Sequence, residues 1–155
     1  MNLTEILKDS NYKLSQFSAN KIEAFENSIY VEYDKKGIEI PYIECLVRRK
    51  KIKLTPEEAV RQLYLMVLNE DYGYSYERME LEYAVSFGRE KKRADIVIFD
   101  KIDSRAVNII VEVKKPPATA RILSRGSINN PLHDVSQLRA RNTTTIKIPL
   151  GMIYL

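Results

Sequence analysis

The sequence holds one cysteine, Cys45, and one histidine, His133. A lone cysteine excludes an intrachain disulfide and suits a reducing compartment. The two counts together exclude a structural zinc site of the usual four Cys/His ligands. They also argue against Ser-His-Asp and Cys-His hydrolase chemistry, because His133 falls in a polar, loop-like context. No apolar run approaches the ~20 residues that span a bilayer. Met1 to Tyr12 carries acidic and polar groups where a signal peptide would have its apolar core. The chain is therefore expected in the cytoplasm, without a membrane partner. It also lacks a G-x-x-x-x-G-K-[ST] phosphate loop, so it should not bind ATP by that route. Any metal chemistry must rest on carboxylates, which favours magnesium or manganese over zinc.

What remains is an ordinary globular composition, 45% apolar and 30% charged over 155 residues, enough for one domain with a real core. The net charge of +4 is a mild bias toward polyanions, informative only if the basic residues lie near a site. Residues 3–9 and 18–26 read as short helices. Ile29 to Tyr33 and Ile38 to Leu46 flank an Asp34-Lys35-Lys36-Gly37 turn and read as a β-hairpin. Val47 to Leu54 is strongly basic, fitting either a solvated edge strand guarded by lysines or a phosphate-contacting surface. Thr55-Pro56-Glu57-Glu58 starts a helix: Thr55 caps it, Pro56 suits its first position and Glu58 would complete a capping box. Val60, Leu63, Tyr64 and Val67 then give that helix one core-facing stripe.

Three strand-like runs follow. Met79, Leu81, Tyr83 and Val85 alternate with polar or small residues. A basic turn over 88–93 leads to Ala94–Phe99, and a second turn leads to Val107–Lys114, stopped by Pro116-Pro117. Residues 119–130 read as a loop, 132–141 as a helix and 146–155 as a last strand. The expected fold is α/β, a mixed sheet covered by helices. Residues 1–54 form an N-terminal helical and hairpin extension packed on a core of 55–155. Because the chain ends within an apolar strand, it is expected to be part of a longer protein.

The chemistry gathers on the last two of these strand runs. At period two, Glu112 and Lys114 share a face with Ile110, and Asp95 opens the preceding strand beside the basic turn. Two carboxylates can hold a divalent cation that polarises a phosphodiester and acidifies a bound water. The main-chain carbonyl of Val113 could also ligate it, and Lys114 could position the water and stabilise charge on phosphorus. Glu82, on the neighbouring strand, and Glu58, or less favourably Glu57, could approach from the side. A cross-strand salt bridge, a solvated sheet face and a plain helix cap account for the same residues without chemistry. Arg89, Lys91, Lys92 and Arg93, with Lys115, are candidate contacts to a nucleic-acid backbone, or simply an exposed hairpin tip.

Arg93-Ala94-Asp95-Ile96-Val97-Ile98 and Ile109-Ile110-Val111-Glu112-Val113-Lys114-Lys115-Pro116 resemble the two halves of the PD-(D/E)xK nuclease signature. The upstream run from Ile52 to Gln62 resembles the N-terminal nuclease domain of type I restriction enzyme R subunits, and the resemblance extends to the C-terminus. It implies a restriction-endonuclease-like core, Asp95 and Glu112 as metal ligands, Lys114 as catalytic lysine, and Mg²⁺ or Mn²⁺ as cofactor. It further implies double-stranded DNA as substrate, methylation and specificity subunits as partners, and ATP used only by a translocase domain outside this chain. That family carries a glutamine followed four residues later by a tyrosine, on the helix after the core. Gln137 matches the glutamine as a supporting residue, and Arg141 stands in the tyrosine's place. A non-catalytic DNA-binding or docking module of the same fold and a free-standing repair-type nuclease are the alternatives.

Overall fold

The computed structural model describes residues 1–87, 90–104 and 106–113, together with the backbone of 144–148. Two short helices, α1 (Leu3–Ile6) and α2 (Ala19–Glu26), precede a three-stranded antiparallel sheet of β1 (Tyr30–Tyr33), β2 (Glu39–Glu44) and β3 (Lys51–Lys53). The long helix α3 (Pro56–Glu70) leads into a second sheet, ordered β4 (Met79–Phe87), β5 (Glu90–Phe99), β6 (Val107–Val113), β7 (Thr144–Ile148). Its first three strands are antiparallel and β7 runs parallel to β6, so the sheet is mixed as expected. The expected loop over 119–130 and helix over 132–141 lie outside the described residues. Among the described residues no helix is long and apolar enough to cross a membrane.

Local chemistry explains the elements. In the β1–β2 turn, Asp34 Oδ1 accepts from the amides of Lys36 at 2.7 Å and Ile38 at 2.9 Å, while Gly37 takes φ +75°. Ser18 caps α2 through the Lys21 amide, and Thr55 Oγ1 caps α3 by accepting from the Glu58 amide at 3.3 Å. The capping box expected at α3 does not close, because the Glu58 carboxylate turns to Arg61 and Gln62 instead.

Helix α3 departs from the one-stripe expectation. Ala59 to Leu65 is buried without interruption, so no side of this stretch faces water. The sheet covers one side through Met79, Leu81, Ile96, Ile98, Ile109, Val111 and Val113. The N-terminal residues Leu3, Leu7, Phe17, Phe25, Ile43 and Cys45 join the same core from the other side. Phe17 packs edge-on against Tyr64 at 5.0 Å, and Lys21 reaches Glu70 and Asp71 at the helix end.

Strand β4 departs from expectation as well. Simple alternation puts Met79, Leu81, Tyr83 and Val85 on one face. Met79 and Leu81 do join the α3 core, but Tyr83 and Val85 pack on the far side of the sheet with Ala94, Val97, Phe99, Val107 and Ile110. The switch falls at Glu82, whose φ of +54° breaks the pleat.

Truncating the core should cost far more than truncating the surface. Ile96 is 0% exposed and Ile102 is 97% exposed. Ile96→Ala is expected to lower unfolding free energy by ~2–5 kcal/mol. Ile102→Ala should stay within ~0.5 kcal/mol of wild type. Urea denaturation followed by circular dichroism reads the difference, and equal losses would contradict this packing.

Candidate functional site

The ladder of the second sheet sets acids side by side. Leu81 pairs with Ile96 and Tyr83 with Ala94, which puts Glu82 opposite Asp95. Ile96 pairs with Val111, so the same register puts Asp95 opposite Glu112, and Glu112 pairs in turn with Lys147 on β7. Neither the Glu82–Asp95 position nor the Asp95–Glu112 position is a regular ladder pair. At Asp95 a side chain takes over instead, its Oδ2 accepting from the Val113 amide at 2.7 Å. A backbone donor that loses its ladder partner must find another acceptor, and this carboxylate supplies it.

The other oxygen of Asp95 faces α3. Its Oδ1 accepts from Arg61 Nη2 at 3.3 Å, and the same nitrogen donates to Glu57 Oε1 at 3.0 Å. Arg61 Nη1 donates to Glu58 Oε2, and Gln62 Nε2 donates to Glu58 Oε1 at 2.8 Å. Gln62 is itself held, since its Oε1 accepts from the Leu46 amide at 3.0 Å. Tyr12 comes from the N-terminal segment into the same field. Burial, and then the negative charges of Glu57 and Asp95, push its phenol above 10.0, so it remains a protonated donor.

Glu82 has its own clamp. Arg48 Nη2 donates to Glu82 Oε2 at 2.7 Å and to the Leu81 carbonyl at 3.1 Å, while Arg93 Nε donates to the Glu82 carbonyl at 3.2 Å. Two arginines thus over-determine a residue in a sparsely populated backbone region, which costs roughly 1–3 kcal/mol. The hydrogen bond from Arg48 is the main reason the Glu82 carboxyl lies below its ordinary 4.5.

The expected site residues divide accordingly. Asp95 and Glu112 lie on adjacent strands in facing register, Val113 supplies its amide to Asp95, and Glu57 and Glu58 approach Asp95 through Arg61. Glu112 is half-buried, and alternation between the core residues Val111 and Val113 assigns it to the face of Ile110. Lys114, Lys115, Arg89 and Gln137 lie outside the described residues. Lys91, Lys92 and Arg93 are exposed, but on β5 rather than in a turn, because the strand already begins at Glu90. In the basic 47–54 segment, only Lys51–Lys53 is a strand, at the edge of its sheet. Lys51 pairs with Glu32 and sits 4.2 Å from the Tyr42 ring, whereas Arg48 turns inward to Glu82.

Arg61, Gln62 and Tyr12 were not among the candidates read from the sequence, and Arg48 was read only within the basic 47–54 segment, as an edge-strand or phosphate-contacting residue. Glu57 and Glu58 stand four and three residues before Arg61, which in a sequence is the mark of ordinary surface ion pairs on a helix. Nothing local reveals that the far side of α3 is covered. Among the described residues no group of three His, Cys, Asp or Glu side chains is arranged to hold a metal ion. Asp95, Glu112 and the Val113 carbonyl are oxygen donors of the type a hard divalent cation takes, although Asp95 Oδ1 turns to α3 while Glu112 is assigned to the Ile110 face. A carboxylate offers about four acceptor positions, and the contacts above use two of those on Asp95.

Residues 56–148, from the start of α3 to the end of β7, match the family model described as Type I restriction enzyme R protein N terminus (HSDR_N). No curated protein and no solved structure matches the chain.

The Glu82 clamp carries a pH signature. A carboxyl whose pKa falls on folding stabilises the protein above its unfolded value and loses that contribution as pH falls through the folded value. Wild type should therefore be more stable than Glu82→Gln at neutral pH, by no more than ~1 kcal/mol for so accessible a pair. The gap should close as pH drops below 4.5. Thermal unfolding across the acid range reads it, and a gap independent of pH would mean that the Glu82 charge is not what Arg48 stabilises.

Proposed function

The chain belongs to the family of type I restriction enzyme R protein N termini, and on that premise we propose that it is the DNA-cutting part of a restriction system. In this reading it is a metal-dependent endonuclease domain of the PD-(D/E)xK type with a restriction-endonuclease-like core. One observation carries the reading. The β5–β6 ladder opens where Asp95 faces Glu112, and the Asp95 carboxylate takes the amide of Val113, the residue between Glu112 and Lys114. An acid is thereby held rigidly against the Glu-x-Lys strand.

Asp95, Glu112 and the Val113 carbonyl are the residues that would hold Mg²⁺ or Mn²⁺, which requires the Glu112 side chain to turn from the Ile110 face toward Asp95, with Glu82 and Glu58 as flanking acids. The bound ion would supply Lewis-acid polarisation of the phosphodiester and a more acidic water. Lys114, next in the chain, would orient that water and neutralise charge building on the phosphate, with Gln137 in support. The protein's own work is positioning. Arg61 and the Val113 amide hold Asp95, and α3 walls one side of the site with packed apolar residues.

Double-stranded DNA is the proposed substrate, met through backbone contacts from Lys91, Lys92 and Arg93 on β5, with Arg89 and Lys115 nearby in sequence. Methylation and specificity subunits are the proposed partners, in the cytoplasm, and ATP would act only through a translocase outside this chain. A non-catalytic DNA-binding or docking role is favoured by one feature: Asp95, Glu58 and Glu82 are each paired with an arginine.

Nicking of supercoiled plasmid by the full-length protein with Mg²⁺ separates the two readings. Asp95→Asn, Glu112→Gln and Lys114→Ala are each expected to lower the rate by at least about 10²-fold while DNA binding is retained. Unchanged cleavage in all three variants would remove the assignment.

A further inference from the structure

Helix α3 carries a charge that an ordinary cap would leave in water. Arg61 is 5% exposed, lies among the buried residues of α3, and meets three carboxylates: Glu57, Glu58 and Asp95. Two of these come from its own helix and would pair equally well with an exposed arginine. The third comes from β5, 34 residues further along the chain. The Nε of Arg61 is buried with no hydrogen-bond partner. Burying a guanidinium with one donor unsatisfied is unfavourable for a side chain whose only task is to decorate a helix.

We propose that Arg61 is a positioning residue for the metal-binding carboxylates, acting as a resident cation that gathers and orients Asp95 and Glu58. The proposal rests on the nuclease reading and deepens it. Three acids converging without a cation would repel one another, and their side chains would splay toward water. The guanidinium prevents this in the absence of any metal. It fixes Asp95 Oδ1 while the Val113 amide fixes Oδ2, so the carboxylate plane is set from two directions. Gln62 does the same for Glu58 from the opposite side. The charge of Arg61 also opposes that of an incoming divalent ion, so a metal binds to pre-oriented ligands but less tightly than to bare ones. Binding affinity is thereby exchanged for geometry.

The full chain is compared as wild type, Arg61→Gln and Arg61→Lys, with Mn²⁺ affinity by electron paramagnetic resonance, plasmid nicking in Mn²⁺, and melting without divalent ions. Arg61→Gln should bind Mn²⁺ about tenfold more tightly, because a nearby positive charge is gone. It should nick about tenfold or more slowly, because Asp95 is no longer oriented. Arg61→Lys keeps the charge without the planar fork, so its Mn²⁺ affinity should match wild type while its nicking falls severalfold. A folded Arg61→Gln with wild-type affinity and nicking but lower melting temperature would reduce Arg61 to a structural ion pair and overturn the proposal. If Arg61→Gln does not fold, the lysine variant decides, and wild-type nicking in it overturns the proposal. If wild type neither binds Mn²⁺ nor nicks, the nuclease reading fails. A gain of Mn²⁺ binding in Arg61→Gln would then still support the resident cation, and no gain would overturn it too.

Discussion

The contact between Arg61 and Asp95 joins the first turns of α3 to the middle of the second sheet, and the arrangement of the site depends on it. A guanidinium keeps its charge even in a packed interior, so its burial is strongly unfavourable unless acids surround it. Placing Arg61 among Val60, Leu63 and Leu65 therefore draws Glu57, Glu58 and Asp95 to its guanidinium. Asp95 passes the constraint to β6 through the Val113 amide. Gln62 passes it to the chain around Cys45 and Leu46. Three parts of the sequence that are distant from one another are locked together by polar contacts inside an apolar core.

Glu82 shows the cost of that arrangement. For the strand to turn Leu81 toward α3 and Tyr83 away from it, one residue must leave the extended region, and a non-glycine residue does so with φ +54°. Arg48 holds it there by donating to its carboxylate and to the Leu81 carbonyl, and Arg93 by donating to the carbonyl of Glu82 itself. The irregularity sits directly across from Asp95, where the ladder is also interrupted. Backbone strain, an open ladder and three arginine-paired acids thus coincide in one small region of the sheet. Such coincidence is characteristic of sites where geometry serves chemistry and not stability alone.

Much of the fold was legible in the residues. The Thr55-Pro56 helix start, the Asp34 to Gly37 turn and the apolar runs of β5 and β6 all follow from local capping, turn chemistry and periodicity. The parallel pairing of β6 with β7 completes the expected mixed sheet. The role of residues 1–54 was less legible. Their helices, their hairpin and their packing on the core could be read, but not that Leu3, Phe17 and Phe25 join the core around α3 and leave it no solvent-facing side. That burial depends on contacts between residues tens of positions apart, to which no local pattern corresponds.

The candidate site divides along the same line. Composition alone limited metal chemistry to carboxylates, since one cysteine and one histidine leave no other ligand set. The order of Asp95 and Glu112, and the strand character around them, were likewise properties of the chain, because side-chain alternation is a local rule. Tertiary structure decided which charges are paired. It turned Arg48 to Glu82, brought Tyr12 under the field of Asp95, and made Arg61 a buried hub, although its sequence context is that of a surface salt bridge. The physical reason is that charge pairing in a low-dielectric interior is governed by what covers a side chain, and cover is supplied by distant parts of the chain.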